Sequence, residues 1–448
     1  MASRTYPRTR RGGHRGGFHL QSRHSAPLPV PGLTQRKIED ITVPEKIKDD
    51  LVAKINGVEY VASYDLTDGL KAPTILVPAT DSYWNKGKPP RWTPPSQPQN
   101  LHEDSDVYYR DPNSARHHKY PTEPAVRAVL HQHTDFAFST IDIFGCGSTF
   151  GSLLSFVRNE ERTFRFGVDR VGSTTFLVRK TNTPGEIIED VRGYGHTFPE
   201  AYTTWESDVR ASASYQRIIK YNFAGLSCMI RSESDGYLPD KLEASHETLR
   251  PVRQDESLLN GGLSSLGLGL LPLTSIGPLV IEDAGDVIPQ QAIFDLKTRS
   301  INQKERLGAS TKEFLPRLWA NQTPNFVLAF HKWGKFQLDE IHIKDVRDDV
   351  KAWEAQNVDV LSRLGKMYRK IVDLSSVHGR FEVRRIGAGP LEIWTESTGW
   401  SALPKELREQ FCGEHGSEVG DNGLEATHVN VNNEGDDDSS DDEKYLRF

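Results

Sequence analysis

Short runs rich in Val, Ile, Phe and Thr recur through the middle of this chain without the regular helical spacers of a βαβ succession, and that irregular spacing limits the fold most. The clearest are Phe164 to Val168, Thr175 to Arg179, Leu226 to Ile230, Leu279 to Glu282, Ala292 to Lys297 and Phe326 to Phe330, all read as strands. Asp345 to Val372 instead places Val350, Trp353, Val360, Leu361, Leu364, Met367 and Ile371 at helical spacing, which predicts one long packed helix. Such a mixture implies an α+β fold of mixed β-sheets with flanking helices.

Both ends are poor in apolar residues, so a single globular domain over residues 39–405 is expected between two largely disordered tails, 1–38 and 406–448. The net charge of −7 averages over opposite ends: residues 1–38 contain no Asp or Glu, whereas Glu434 to Glu443 is almost continuously acidic. Arg10 to Gly17 is an arginine–glycine segment, read either as an RNA-contacting tail or as a solvated terminus. Pro89 to Pro95 reads as an extended surface connection, and Gly261 to Leu271 as a loop. No apolar run reaches the ~18 residues of a membrane helix, and the N-terminus lacks the apolar stretch of a secretory signal, so a soluble intracellular protein is expected. Cys146, Cys228 and Cys412 are too few and scattered for a disulfide framework or zinc site, and are read as buried or inert thiols.

Glu233 and Asp235 stand two apart at the end of one strand, Asp295 and Lys297 two apart inside another, and residues so spaced share a strand face. If the two strands pair, these side chains can share one divalent ion and the water it activates. Mg²⁺ fits such a set, because it wants oxygen ligands in near-octahedral geometry; the Leu296 carbonyl would be a further oxygen. Lys297 would orient or deprotonate the water. Standing alone, Asp295-Leu296-Lys297 reads more readily as an exposed ion pair on an edge strand.

The residues that follow change that balance: Phe314-Leu315-Pro316-Arg317-Leu318-Trp319-Ala320-Asn321-Gln322, then Pro324-Asn325 opening an apolar strand. In order and type these segments resemble the decapping exonuclease (DXO-like) family of RNA 5′-end nucleases, which has a PD-(D/E)XK-like core. That family carries Gly-x-x-Phe-Glu, Glu-x-Asp, Glu-apolar-Lys-Thr, Trp-Ala-Gln and Pro-Asn. Here Gly195-His196-Thr197-Phe198-Pro199-Glu200 resembles the first with one residue inserted, Glu233-Ser234-Asp235 the second, Asp295-Leu296-Lys297-Thr298 the third, Trp319-Ala320-Asn321 the fourth and Pro324-Asn325 the last.

The resemblance implies a metal-dependent hydrolase of RNA 5′ ends, acting in decapping, pyrophosphohydrolysis or 5′-to-3′ exonuclease cleavage. It implies Mg²⁺ or Mn²⁺ on Glu200, Asp235, Asp295 and the Leu296 carbonyl, Glu233 and Lys297 beside the water, and Asn321 or Gln322 near the RNA. Possible company includes a 5′-to-3′ exoribonuclease, in nucleus or cytoplasm, the nucleus slightly favoured. The sequence departs from the pattern at four points, one being that about sixty residues separate the two acidic strands, more than the family usually has. Asp295 replaces a glutamate, Pro199 interrupts the first motif, and the family's Trp-Arg-Gly falls at Phe144-Gly145-Cys146-Gly147, which has no arginine. A catalytically degenerate relative that binds RNA or a partner is therefore the competing expectation.

Three patterns are set aside. Gly145 to Gly151 lacks the spacing of a nucleotide loop and reads as a tight turn into packed structure. Asp437 to Asp441 superficially resembles an Asp-rich diphosphate motif but lies in a polar tail. His117 with His118, and His131 with His133, lack further ligands at metal spacing and read as surface histidines.

Overall fold

The computed structural model describes residues 28–29, 31–32, 34–45, 53–67, 72–78, 88–117, 119–183, 185–189, 191–243, 278–307, 311–396 and 399–413. The arginine–glycine segment, the glycine–serine–leucine run, His118 and the acidic stretch lie outside them. The described elements run from strand Lys37–Ile41 to helix Lys405–Gly413, so position 405 opens a helix and does not end the folded region.

Among the described residues the chain forms an eleven-stranded and a seven-stranded mixed sheet with helices against them, an α+β architecture. All six expected strands are present. In the larger sheet the short strand Ile143–Cys146 lies parallel to both its neighbours, Leu226–Ser234 and Thr174–Arg179. In the smaller, Ile293–Ser300 lies parallel to Asn325–Lys332, which pairs antiparallel with Lys335–Asp345. The expected long helix is two, Arg347–Gln356 and Val358–His378, parted at Asn357, whose side-chain amide donates to the Trp353 carbonyl. Such local side-chain bonds compete with the helical ladder, and Asn is suited to them.

One apolar cluster joins the sheets. It includes Ile143 and Ile230 from the larger, Phe326 and Leu328 from the smaller, and between them Leu153, Trp319, Leu361, Leu364, Met367 and Ile371 from three helices. Trp319 is buried in this layer, and its indole N–H donates to the Glu354 carboxylate, which also accepts from the Ile55 amide. The Trp-Ala segment thus anchors helix Leu315–Asn321 across the sheets, holding its first turn over strand Ile293–Ser300.

Candidate active site at the crossing between the sheets

The Glu233 strand belongs to the larger sheet and the Asp295 strand to the smaller, so they do not pair directly as the spacing suggested. Contact is made one step later. Past Ser234 the chain crosses over, and Gly236–Tyr237 pairs antiparallel with Phe294 and Ile293. Only glycine fits the crossing, because a Cβ at Gly236 would lie 2.5 Å from the Phe294 ring and 2.7 Å from the Pro90 carbonyl. This close approach lays Asp235 beside Asp295: the Asp235 amide donates to the Phe294 carbonyl, and Asp235 Oδ2 accepts from the Leu296 amide at 2.6 Å.

Two buried carboxylates brought this close act on each other's charge. Burial and the Asp295 charge together raise Asp235 well above the ordinary carboxylate range. Burial acts upward on Asp295 too, but Arg317 and Lys297 outweigh it and hold Asp295 below its ordinary value. Arg317, in the first turn of helix Leu315–Asn321, grips both Asp295 oxygens: Nε donates to Oδ2 at 2.6 Å and Nη2 to Oδ1. Asp295 is almost wholly buried while the Arg317 side chain remains 46% exposed, so the guanidinium covers the carboxylate from outside.

Glu233 is open to solvent yet crowded by protein, as on the floor of a recess. That crowding raises its carboxyl, against the opposing pull of Arg317, Lys297, Arg231 and Arg116. Arg231 lies opposite Cys146 in the parallel ladder. Cys146 departs from the expected inert thiol: burial pushes its pKa up, but Arg231 and the Ser148 and Thr149 hydroxyls, each 3.1 Å from Sγ, bring it down. The glycine-rich segment around it is a strand running straight into helix Gly147–Val157.

Among the described residues Glu200 forms no metal-holding group with Asp235 and Asp295. Its charged neighbours are Asp106, Asp104 and His102, which with burial raise its pKa, and none of Glu233, Asp235 or Asp295 is among them. The reason is local. In helix Thr197–Tyr202 the residue directly after Phe198 is Pro199, and Glu200 stands about 100° further round. The helix N-terminus is fixed by Asp104, which accepts from the Gly195, His196 and Thr197 amides, and His196 stacks on Tyr108 at 3.5 Å. His196 is the part of this segment that reaches the centre electrostatically, its pKa lowered by burial and then by Lys297.

Asn321 is buried against Gly147 with its side-chain oxygen unpartnered. Gln322 closes its helix in a left-handed conformation at φ 51°: its side-chain amide donates to the Trp319 carbonyl, and its own carbonyl accepts from Gln290. His131 pairs with Asp283 and His133 bonds to the Val61 carbonyl, so the two histidines serve separate partners.

A divalent ion on Glu200, Asp235 and Asp295 does not fit this arrangement. One carboxylate stands apart, another has both oxygens taken by a guanidinium, and the contact from Leu296 to Asp235 is a donated one, suited to an anion. Among the described residues no group of three or more His, Cys, Asp or Glu is placed to hold a metal ion. Sequence reasoning missed Arg317, although a cation in the first turn of a helix faces the positive end of the macrodipole and needs a reason to be there.

A family model described as a domain of unknown function, DUF8563, matches residues 35–411, and the chain belongs to that family. No curated protein matches. Among solved structures it is similar to Rai1 of S. pombe, at 12% identity and a TM-score of 0.47, covering 81% of this chain and 99% of that one. It is similar to Candida albicans Rai1 in complex with pU5-Mn2+, at 9% identity and 0.47, covering 84% and 95%. It is similar also to K. lactis Dxo1 in complex with manganese, at 11% and 0.41, covering 82% and 97%. No helix among the described residues is long and apolar enough to cross a membrane.

Proposed function

We propose that this member of the DUF8563 family is a DXO-like protein of RNA 5′ ends, whose recess at the sheet crossing binds the phosphorylated end. One observation carries the reading: four cationic side chains, Arg317, Lys297, Arg231 and Arg116, converge electrostatically on Glu233. Such a ring fits phosphate oxygens, and guanidinium groups match them in forked geometry. Arg231, on the strand beside Cys146, brings a guanidinium to the segment where the family's motif arginine is missing. Tyr108 stacked on His196 offers an aromatic surface near Lys297 on which a base could rest.

A second reading is hydrolysis of that end. It is favoured by Lys297 standing two residues from Asp295 on one strand and acting, like Arg317, on both Glu233 and Asp235. In this reading Glu233 and Lys297 orient water against a bound pyrophosphate or phosphodiester, and the cations steady the charge that develops on phosphate oxygens.

Purified full-length protein would be titrated with triphosphorylated, monophosphorylated and incompletely capped RNA, with and without Mg²⁺ or Mn²⁺, following binding and product together. Salt-sensitive binding that prefers a phosphorylated end, weakened by Arg231→Ala with a salt slope shallower by about one, is expected. Product would decide for hydrolysis. Equal affinity for RNA lacking a 5′ phosphate, or indifference to Arg231→Ala, would overturn the 5′-end reading.

A further inference from the structure

We infer that Arg317 is the resident counter-cation of the acidic centre: its guanidinium occupies the oxygens a divalent ion would need, so the centre is complete without metal and admits one only when Arg317 leaves. This concerns the recess proposed above for RNA, but it is tested without RNA, so either idea can fail alone.

Glu233, Asp235 and Asp295 would place three negative charges together, and Arg317 acts on all three. Lys297 adds a second positive charge that also acts on all three carboxylates. The forked Arg317–Asp295 contact uses the oxygens that an octahedral ion would take, and such an ion tolerates little displacement of its ligands. Nor is Arg317 where it is for the benefit of its own helix, since the first turn repels a cation. Its exposure, against the burial of Asp295, places it across the path from solvent, where it can swing outward.

The test is Mn²⁺ binding to the full chain by electron paramagnetic resonance of the free ion, with melting temperature followed in parallel. Wild type should leave Mn²⁺ free and show no rise in melting temperature with it. Arg317→Gln should melt lower without metal, bind Mn²⁺ at least about tenfold more tightly than wild type, and recover melting temperature as it does so. The double variant Arg317→Gln with Asp235→Asn should lose the gain. If Arg317→Gln does not fold, Arg317→Lys keeps the charge without the fork and should show a smaller gain of the same kind. Wild type binding Mn²⁺ as tightly as the variant, or a folded variant that gains no affinity, overturns the inference.

Discussion

Asp65 and Asp295 are both buried aspartates on strands, one in each sheet, and they are kept in opposite ways. Asp65, in strand Asn56–Thr67, is wholly buried; Ser212 donates to Oδ2 at 2.7 Å, and Oδ1 has no hydrogen-bond partner. Burial, with the nearby Asp208 charge, raises it well above the ordinary carboxylate value, which favours its neutral form. Asp295, as buried, is held charged by a guanidinium and an ammonium. Burial alone removes a carboxylate's charge; a cation positioned by another element preserves it, and only the second arrangement makes an electrostatic site.

The sharpest way to break this contrast is at the crossing itself. Gly236→Ala would drive a methyl into the Phe294 ring and the Pro90 carbonyl, and should cost about 3 kcal/mol in denaturant unfolding while uncoupling Asp235 from Asp295. A variant as stable as the parent would mean the close approach is not required.

Next in size is Asp295→Asn. It strips the Arg317 pair of its charge and, discounted for the half-exposed arginine, should cost about 2 kcal/mol at neutral pH. Because the folded-state pKa of Asp295 lies below its unfolded value, its contribution is present above the unfolded pKa of about 4 and is lost as pH falls through the folded one. The difference between Asp295→Asn and wild type should therefore shrink in acid.

Asp65→Asn should act with the opposite sign. A raised folded-state pKa means that Asp65 contributes stability below about pH 4 and loses it as pH rises through its folded value. At neutral pH the amide, which needs no proton to be neutral, should stabilise by about 1 kcal/mol, with the gain vanishing in acid. Parallel pH profiles for the two variants would remove the contrast. Smallest of all, Glu200→Ala should change stability by no more than about 0.5 kcal/mol, since the side chain is exposed among like charges. A loss comparable to that of Asp295→Asn would place Glu200 in the centre after all.

Much of the fold was legible because β-branched and aromatic runs declare strands locally. The six expected strands are found, whereas the single expected helix is broken at Asn357, where one side-chain bond outweighs an apolar stripe that runs on beyond it. The pairing of the two acidic segments was half legible: their spacing gave the faces, but not that one strand belongs to each sheet. At Glu200 the extra residue Pro199 matters more in the helix than in the motif, since a one-residue offset turns a helical side chain through about 100°.

The sequence by itself determined which residues could meet: Glu233, Asp235, Asp295 and Lys297 follow from two-residue periodicity. Only the tertiary structure decided that Arg317 is their partner. Charge compensation acts across space between elements far apart in the chain, and no local preference of a helix's first turn records which strand lies beneath it.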